Sequence, residues 1–89
     1  MLIISYDISN DKLRDKFSKV LRKNGAIRLQ YSVYEFNNTN RLKERLKLLI
    51  DHFSKQFTGA DSVVVFEVQD SHIIKYGNAI HRDKDMIFI

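Results

Sequence analysis

The sequence predicts an α+β fold of the ferredoxin-like kind, β-α-β-β-α-β, with two helices on one face of an antiparallel sheet. Apolar, β-branched runs at Met1–Ile8 and Ser62–Gln69 read as interior strands, and Asp11–Asn24 and Arg41–Phe57 carry apolar residues at helical spacing. Between the helical stretches lies an extended region, Ile27–Phe36, which supplies the second and third strands.

Met1–Ile8 is the strand around which the chain is organised. Leu2, Ile3, Ile4 and Tyr6 put apolar groups on both parities, the pattern of a mid-sheet strand covered on both faces. At its carboxyl end the run delivers Asp7, just before the helix-start residues Ser9, Asn10 and Asp11. In the following helix Leu13, Phe17, Val20 and Leu21 form a narrow core stripe, and Asn24-Gly25 supplies the stop. Lys12, Lys16, Lys19 and Lys23 recur at steps of four, three and four, a basic ridge along one flank. Such a ridge is either a solvated outer face or a surface for a polyanion.

In Ile27–Phe36, Ile27, Leu29, Tyr31 and Val33 alternate with Arg28, Gln30 and Ser32 until Tyr34 and Phe36 reverse the parity. That reversal predicts a bulge, a sharp bend or a break near Tyr31–Val33. Asn37–Asn40 is a turn cluster, and Leu42, Leu46, Leu49, Ile50, Phe53 and Phe57 then mark the clearest helix, ended by Thr58-Gly59. The tail, residues 70–89, holds a short Ile73–Tyr76 segment and a final apolar run, Met86–Ile89. With no obvious place in its own sheet, that run is expected to pair with the edge of a second copy's sheet, making a homodimer.

Eighty-nine residues with 44% hydrophobic content describe one small domain, 1–89, and the absence of cysteine leaves disulfides out of its stability. No basic segment precedes the first apolar run and no cleavage site follows it, so no signal peptide is expected and the location expected is cytoplasmic. The net charge of +4 suits a polyanionic partner. There is no nucleophile elbow and no Cys or His cluster at metal-ligand spacing, and three glycines leave no room for a nucleotide-binding loop. His52, His72 and His81 are isolated and read as surface residues.

Asp7 has two readings: a carboxylate stabilised by the helix amino terminus, or a metal ligand. Mg²⁺ is usually held by one or two carboxylates together with waters and phosphates, so the second reading calls for a partner copy's aspartate. Arg28, Gln30 and Ser32 make a polar row that either binds phosphates or forms the wet face of a sheet.

The strand end Tyr6-Asp7-Ile8, the basic helix ending in Gly25, and the run Arg28-Leu29-Gln30-Tyr31-Ser32-Val33-Tyr34-Glu35 together resemble the family of CRISPR-associated protein two. This resemblance extends in length and element order over essentially the whole chain. It implies a ferredoxin-like homodimer at the centre of the spacer-acquisition (integrase) complex, flanked by CRISPR-associated protein one and holding double-stranded DNA. It also implies a metal-dependent endonuclease acting on RNA or DNA, with Asp7 of both copies holding Mg²⁺ as the catalytic and metal residue. By position, Arg14, Arg28, Ser32 and Tyr34 match residues linked to substrate handling, and Lys16 stands where some members have arginine, keeping the charge without bidentate geometry. The alternatives are a toxin-type ribonuclease or an RNA-binding module on the same fold. The latter is disfavoured because neither Tyr31–Phe36 nor Val63–Val68 has the aromatic pattern of a base-stacking strand.

Overall fold

The computed structural model describes residues 1–37 and 40–81. The elements are β1 (Leu2–Asp7), α1 (Asp11–Lys23), β2 (Ile27–Gln30), β3 (Val33–Phe36), α2 (Asn40–Ser54) and β4 (Ser62–Glu67), followed by a 3₁₀ turn (Asp70–His72) and a single helical turn, α3 (Asn78–His81). The described strands form one sheet in the order β2-β3-β1-β4, with every neighbouring pair antiparallel. This is the α+β, ferredoxin-like arrangement that the element order predicts.

β1 lies between β3 and β4, as its apolar run requires. Its alternation splits the residues cleanly. Leu2, Ile4 and Tyr6 are buried with the helices, while Ile3 and Ser5 are half-buried on the other side and Asp7 is exposed. In register, Tyr34 and Phe36 of β3 stand opposite Ile4 and Leu2, so all four side chains share the helix-facing layer. There Phe17 of α1 meets Tyr6 edge-on at 4.9 Å and Phe53 of α2 edge-on at 5.2 Å, joining both helices to the sheet. The Tyr34 hydroxyl shares a 2.6 Å hydrogen bond with Ser18 Oγ, which satisfies the buried phenol. Burial, with Tyr34 as neighbour, pushes the Tyr6 phenol up to about 12, so it stays neutral.

The parity reversal in Ile27–Phe36 is a hairpin. β2 and β3 are joined through Tyr31 and Ser32, and a bulge between Arg28 and Gln30 leaves Leu29 as the extra residue, buried but outside the main core cluster. The Asn10 side chain accepts from Leu13 N–H at 2.9 Å and caps α1, and Gly25 takes φ 96 after its end. α2 stops at Ser54, short of the expected Phe57, which still packs against the core from the turn that follows.

One expectation is corrected. Ser62–Gln69 reads as an interior strand, yet β4 is an edge strand among the described residues, and Val64, Val65 and Phe66 are 47%, 46% and 49% exposed. Its β-branched run has the composition of a covered strand, but among the described residues that cover is incomplete. The face of β1 away from the helices is likewise only partly covered. Within the short Ile73–Tyr76 segment, Lys75 reaches back to Glu35 at 2.6 Å and pairs with a carboxylate that is only 5% exposed. The expected swapped strand, Met86–Ile89, lies outside the described residues.

Phe17 is fully buried at the junction of the sheet and both helices, so Phe17→Ala is expected to cost about 3–5 kcal/mol in urea unfolding.

Candidate functional site

Strand alternation places the chemistry-bearing groups on different sides of the molecule. Asp7, at the end of β1, shares the face away from the helices with Ile3 and Ser5, opposite Ser62 of β4. Its carboxylate is exposed and, among the described residues, makes no hydrogen bond or ion pair. The helix amino terminus is served instead by Asn10, so the capping reading of Asp7 has no bond behind it. Among the described residues no three His, Cys, Asp or Glu side chains cluster for a metal. At the end of β1 one chain thus offers a cation, among the described residues, the single carboxylate of Asp7, half of the pair that Mg²⁺ uses in many sites.

The basic residues that the sequence singles out occupy α1 and the hairpin. Lys12, Lys16, Lys19 and Lys23 are all exposed along α1 and, among the described residues, none is paired with a carboxylate. Arg14 is held more firmly. Its Nη1 donates to Ile8 O at 3.2 Å and its Nη2 to Asp11 Oδ1 at 2.6 Å, and the Asp11 bond holds the guanidinium above its ordinary pKa. Arg28, on the edge strand β2, stands opposite Tyr34 in register and so faces the same side as α1. Ser32 lies in the hairpin turn, where its carbonyl accepts from Tyr6 N–H at 3.1 Å. Tyr34 is fully buried and bonded to Ser18, which leaves its ring no surface to offer a ligand.

The structure therefore brings Arg14 and Arg28 together and leaves Ser32 and Tyr34 as their support. It also adds residues that the sequence reading did not single out. A cleft of about 130 Å³ is lined by Arg14 and Arg28 together with Arg22, Asp15, Ser18, Tyr6 and Tyr31. Arg22 falls one turn from Ser18 on α1, a helical relation visible in the sequence, but its meeting with β2 is a tertiary event.

Asp61 is a second omission. Its Oδ1 accepts from Ser9 N–H at 2.9 Å and Ser9 Oγ at 3.0 Å, and its Oδ2 from Thr58 N–H at 2.9 Å and Thr58 Oγ1 at 3.4 Å. One carboxylate thus ties the loop after Asp7 to the loop before β4. The Thr58 half is local and legible as a turn pattern; the Ser9 half spans 52 residues and is not.

The bonds from Ser9 N–H and Thr58 N–H hold the Asp61 carboxyl below its ordinary pKa. A depressed folded-state pKa means that ionised Asp61 stabilises the fold above the unfolded carboxylate value, and that this contribution is lost as pH falls through the folded value. Thermal melts of Asp61→Ala should accordingly lie below the parent at neutral pH and converge with it at the acid end. A gap that stays constant down to strong acid would contradict the assignment.

No curated protein matches the chain. The family model described as CRISPR associated protein Cas2 matches residues 1–75, which include the Asp7 strand, the basic helix, the hairpin and β4. With that match spanning most of the sequence, the chain belongs to the CRISPR-associated protein Cas2 family and has a CRISPR-associated role.

Proposed function

We propose that this protein is a dimeric adaptor of the spacer-acquisition complex that holds double-stranded DNA by its phosphate backbone beside the integrase subunit, CRISPR-associated protein one. The observation that carries the binding half is the row of exposed lysines on α1, unpaired among the described residues; Arg14 and Arg28 add cations across the core stripe, on the other flank of the helix, where they line a cleft with Arg22. Cations without carboxylate partners retain their full attraction for phosphates, and a rigid helix spaces them without reading bases. Dimerisation is supported by the half-exposed Val64 and Phe66, which share a face with Ile3 and Asp7, and by the edge of β4, which has no strand beside it among the described residues. Pairing two copies over that face would cover the apolar groups and bring the Asp7 carboxylates toward one another.

In that setting Asp7 of each copy would hold Mg²⁺, which on binding supplies charge neutralisation at a phosphate and a more acidic bound water. Endonuclease activity on RNA or DNA is the secondary role, because one carboxylate per chain leaves no dedicated general base. Among the described residues no helix is long and apolar enough to cross a membrane.

Binding of unrelated duplexes across a salt series should fall with a log–log slope approaching about −0.9 per phosphate neutralised. A flat response, or strong preference for one sequence, would defeat the backbone-binding reading. Lys16→Glu/Lys19→Glu should abolish duplex binding and spacer acquisition, whereas Asp7→Ala should remove any Mg²⁺-dependent cleavage and leave both intact. The reverse pattern would make catalysis the primary role. Deleting Met86–Ile89 should yield monomer or insoluble protein by light scattering, and a truncated chain that remains a stable dimer would sink the swapped-strand argument.

A further inference from the structure

The cleft between α1 and the β2–β3 hairpin is organised by an aromatic residue. Tyr31 stands in the hairpin turn, 64% exposed, far more than any packing role needs. Two guanidiniums lie against its ring, Arg14 with its carbon 5.8 Å from the centroid and Arg28 at 5.2 Å. Arg22, from the same helix face as Arg14, lines the cleft with them. Like charges gathered this way repel, and the ring quadrupole offsets part of that repulsion while fixing where the two planes sit.

The guanidiniums retain unused donors. Arg14 Nε is buried without a hydrogen-bond partner among the described residues, a condition that costs free energy unless something accepts from it. Arg22 and Arg28 donate their Nε only to backbone carbonyls, Ser18 O at 3.5 Å and Gln30 O at 3.3 Å, and neither is paired with a carboxylate among the described residues. Asp15 is the acid in the lining, and Asp11 is bound to Arg14 Nη2, so cationic charge prevails.

Size decides what could enter. At about 130 Å³ the cleft is well below the roughly 300–1,000 Å³ of sites that take up whole small-molecule ligands, so a nucleoside is too large. A single tetrahedral phosphate, with its acceptor oxygens turned toward guanidinium forks, suits both the space and the donors.

We infer that Arg14, Arg22 and Arg28 form a seat for one phosphate group, and that Tyr31 is the positioning residue that holds Arg14 and Arg28 at it. The occupant in function is a backbone phosphodiester of the bound nucleic acid, an identification that rests on the nucleic-acid-binding reading above; the seat itself stands on its own donors. Tyr31 acts through its ring, so the hydroxyl is dispensable.

The test uses the full chain. Inorganic phosphate is titrated while the Arg14 Nε–Hε resonance is followed by NMR, and duplex binding is measured across a salt series. The parent should show a saturable shift of that resonance. Tyr31→Ala should lose the saturation and lower the salt slope by about 0.9, the loss of one phosphate, with an unchanged circular dichroism spectrum because the side chain is exposed. Tyr31→Phe should restore both values, and Arg22→Gln should lower the slope like Tyr31→Ala. A Tyr31→Ala chain with the parent slope and saturation would overturn the positioning role, and a parent chain whose Arg14 resonance ignores phosphate would overturn the seat. Failure of duplex binding together with a saturable phosphate shift would refute the nucleic-acid occupant while leaving the seat, so the two readings fail separately. Parent-like behaviour of Arg22→Gln would also overturn the three-arginine assignment.

Discussion

The fold depends on β1 being paired on both sides. Its backbone is committed to β3 along one edge and to β4 along the other, and Val68 N–H still donates to Met1 O at 2.9 Å beyond the strand's end. Because one neighbour lies in the first half of the chain and the other in the second, the sheet cannot close until both have folded back onto this strand. Once it is fixed, the two-residue period assigns every side chain a layer. Leu2, Ile4 and Tyr6 build the core with Phe17, Tyr34 and Phe53, and Asp7 is delivered to the other side without any packing residue to hold it. Asp61, through Ser9, then restrains the loop that follows.

This division separates two kinds of chemistry. The cations of the candidate site lie on α1 and the helix-facing side of β2, while the Asp7 carboxylate lies across the sheet from them. Had Asp7 faced the arginines it would have been neutralised by them, as Asp11 is by Arg14. Opposite faces keep a carboxylate available to a cation and guanidiniums available to phosphates in a chain of only 89 residues.

Much of the fold was legible because the sequence patterns are local. The break at Tyr31–Val33 could be seen in the parity reversal, and the stop at Asn24-Gly25 in the residue types. What was not legible depends on distance. β4 reads as interior because Val63, Val64 and Val65 have the composition of a covered strand, and composition does not say whether the cover comes from the same chain. The ridge of Lys12, Lys16, Lys19 and Lys23 follows from helical periodicity alone, whereas the cleft needs α1 and β2 to meet, so Arg22 and Tyr31 stayed unmarked. Tyr34 drew attention through its position in the family resemblance, and only the register with Ile4 shows that it belongs to the core.

The edge of β4 also links association to stability. Natural edge strands are commonly protected by charge, proline or a bulge, yet the middle of this one is Val64, Val65 and Phe66. An occupant that recognises the formed edge binds the folded chain and not the unfolded one, and so stabilises it by mass action, by about 2.7 kcal/mol at a hundredfold excess over its dissociation constant. With such an occupant the melting midpoint would not be a fixed property of the chain: it would climb with the occupant's concentration, and dilution would act as a denaturant.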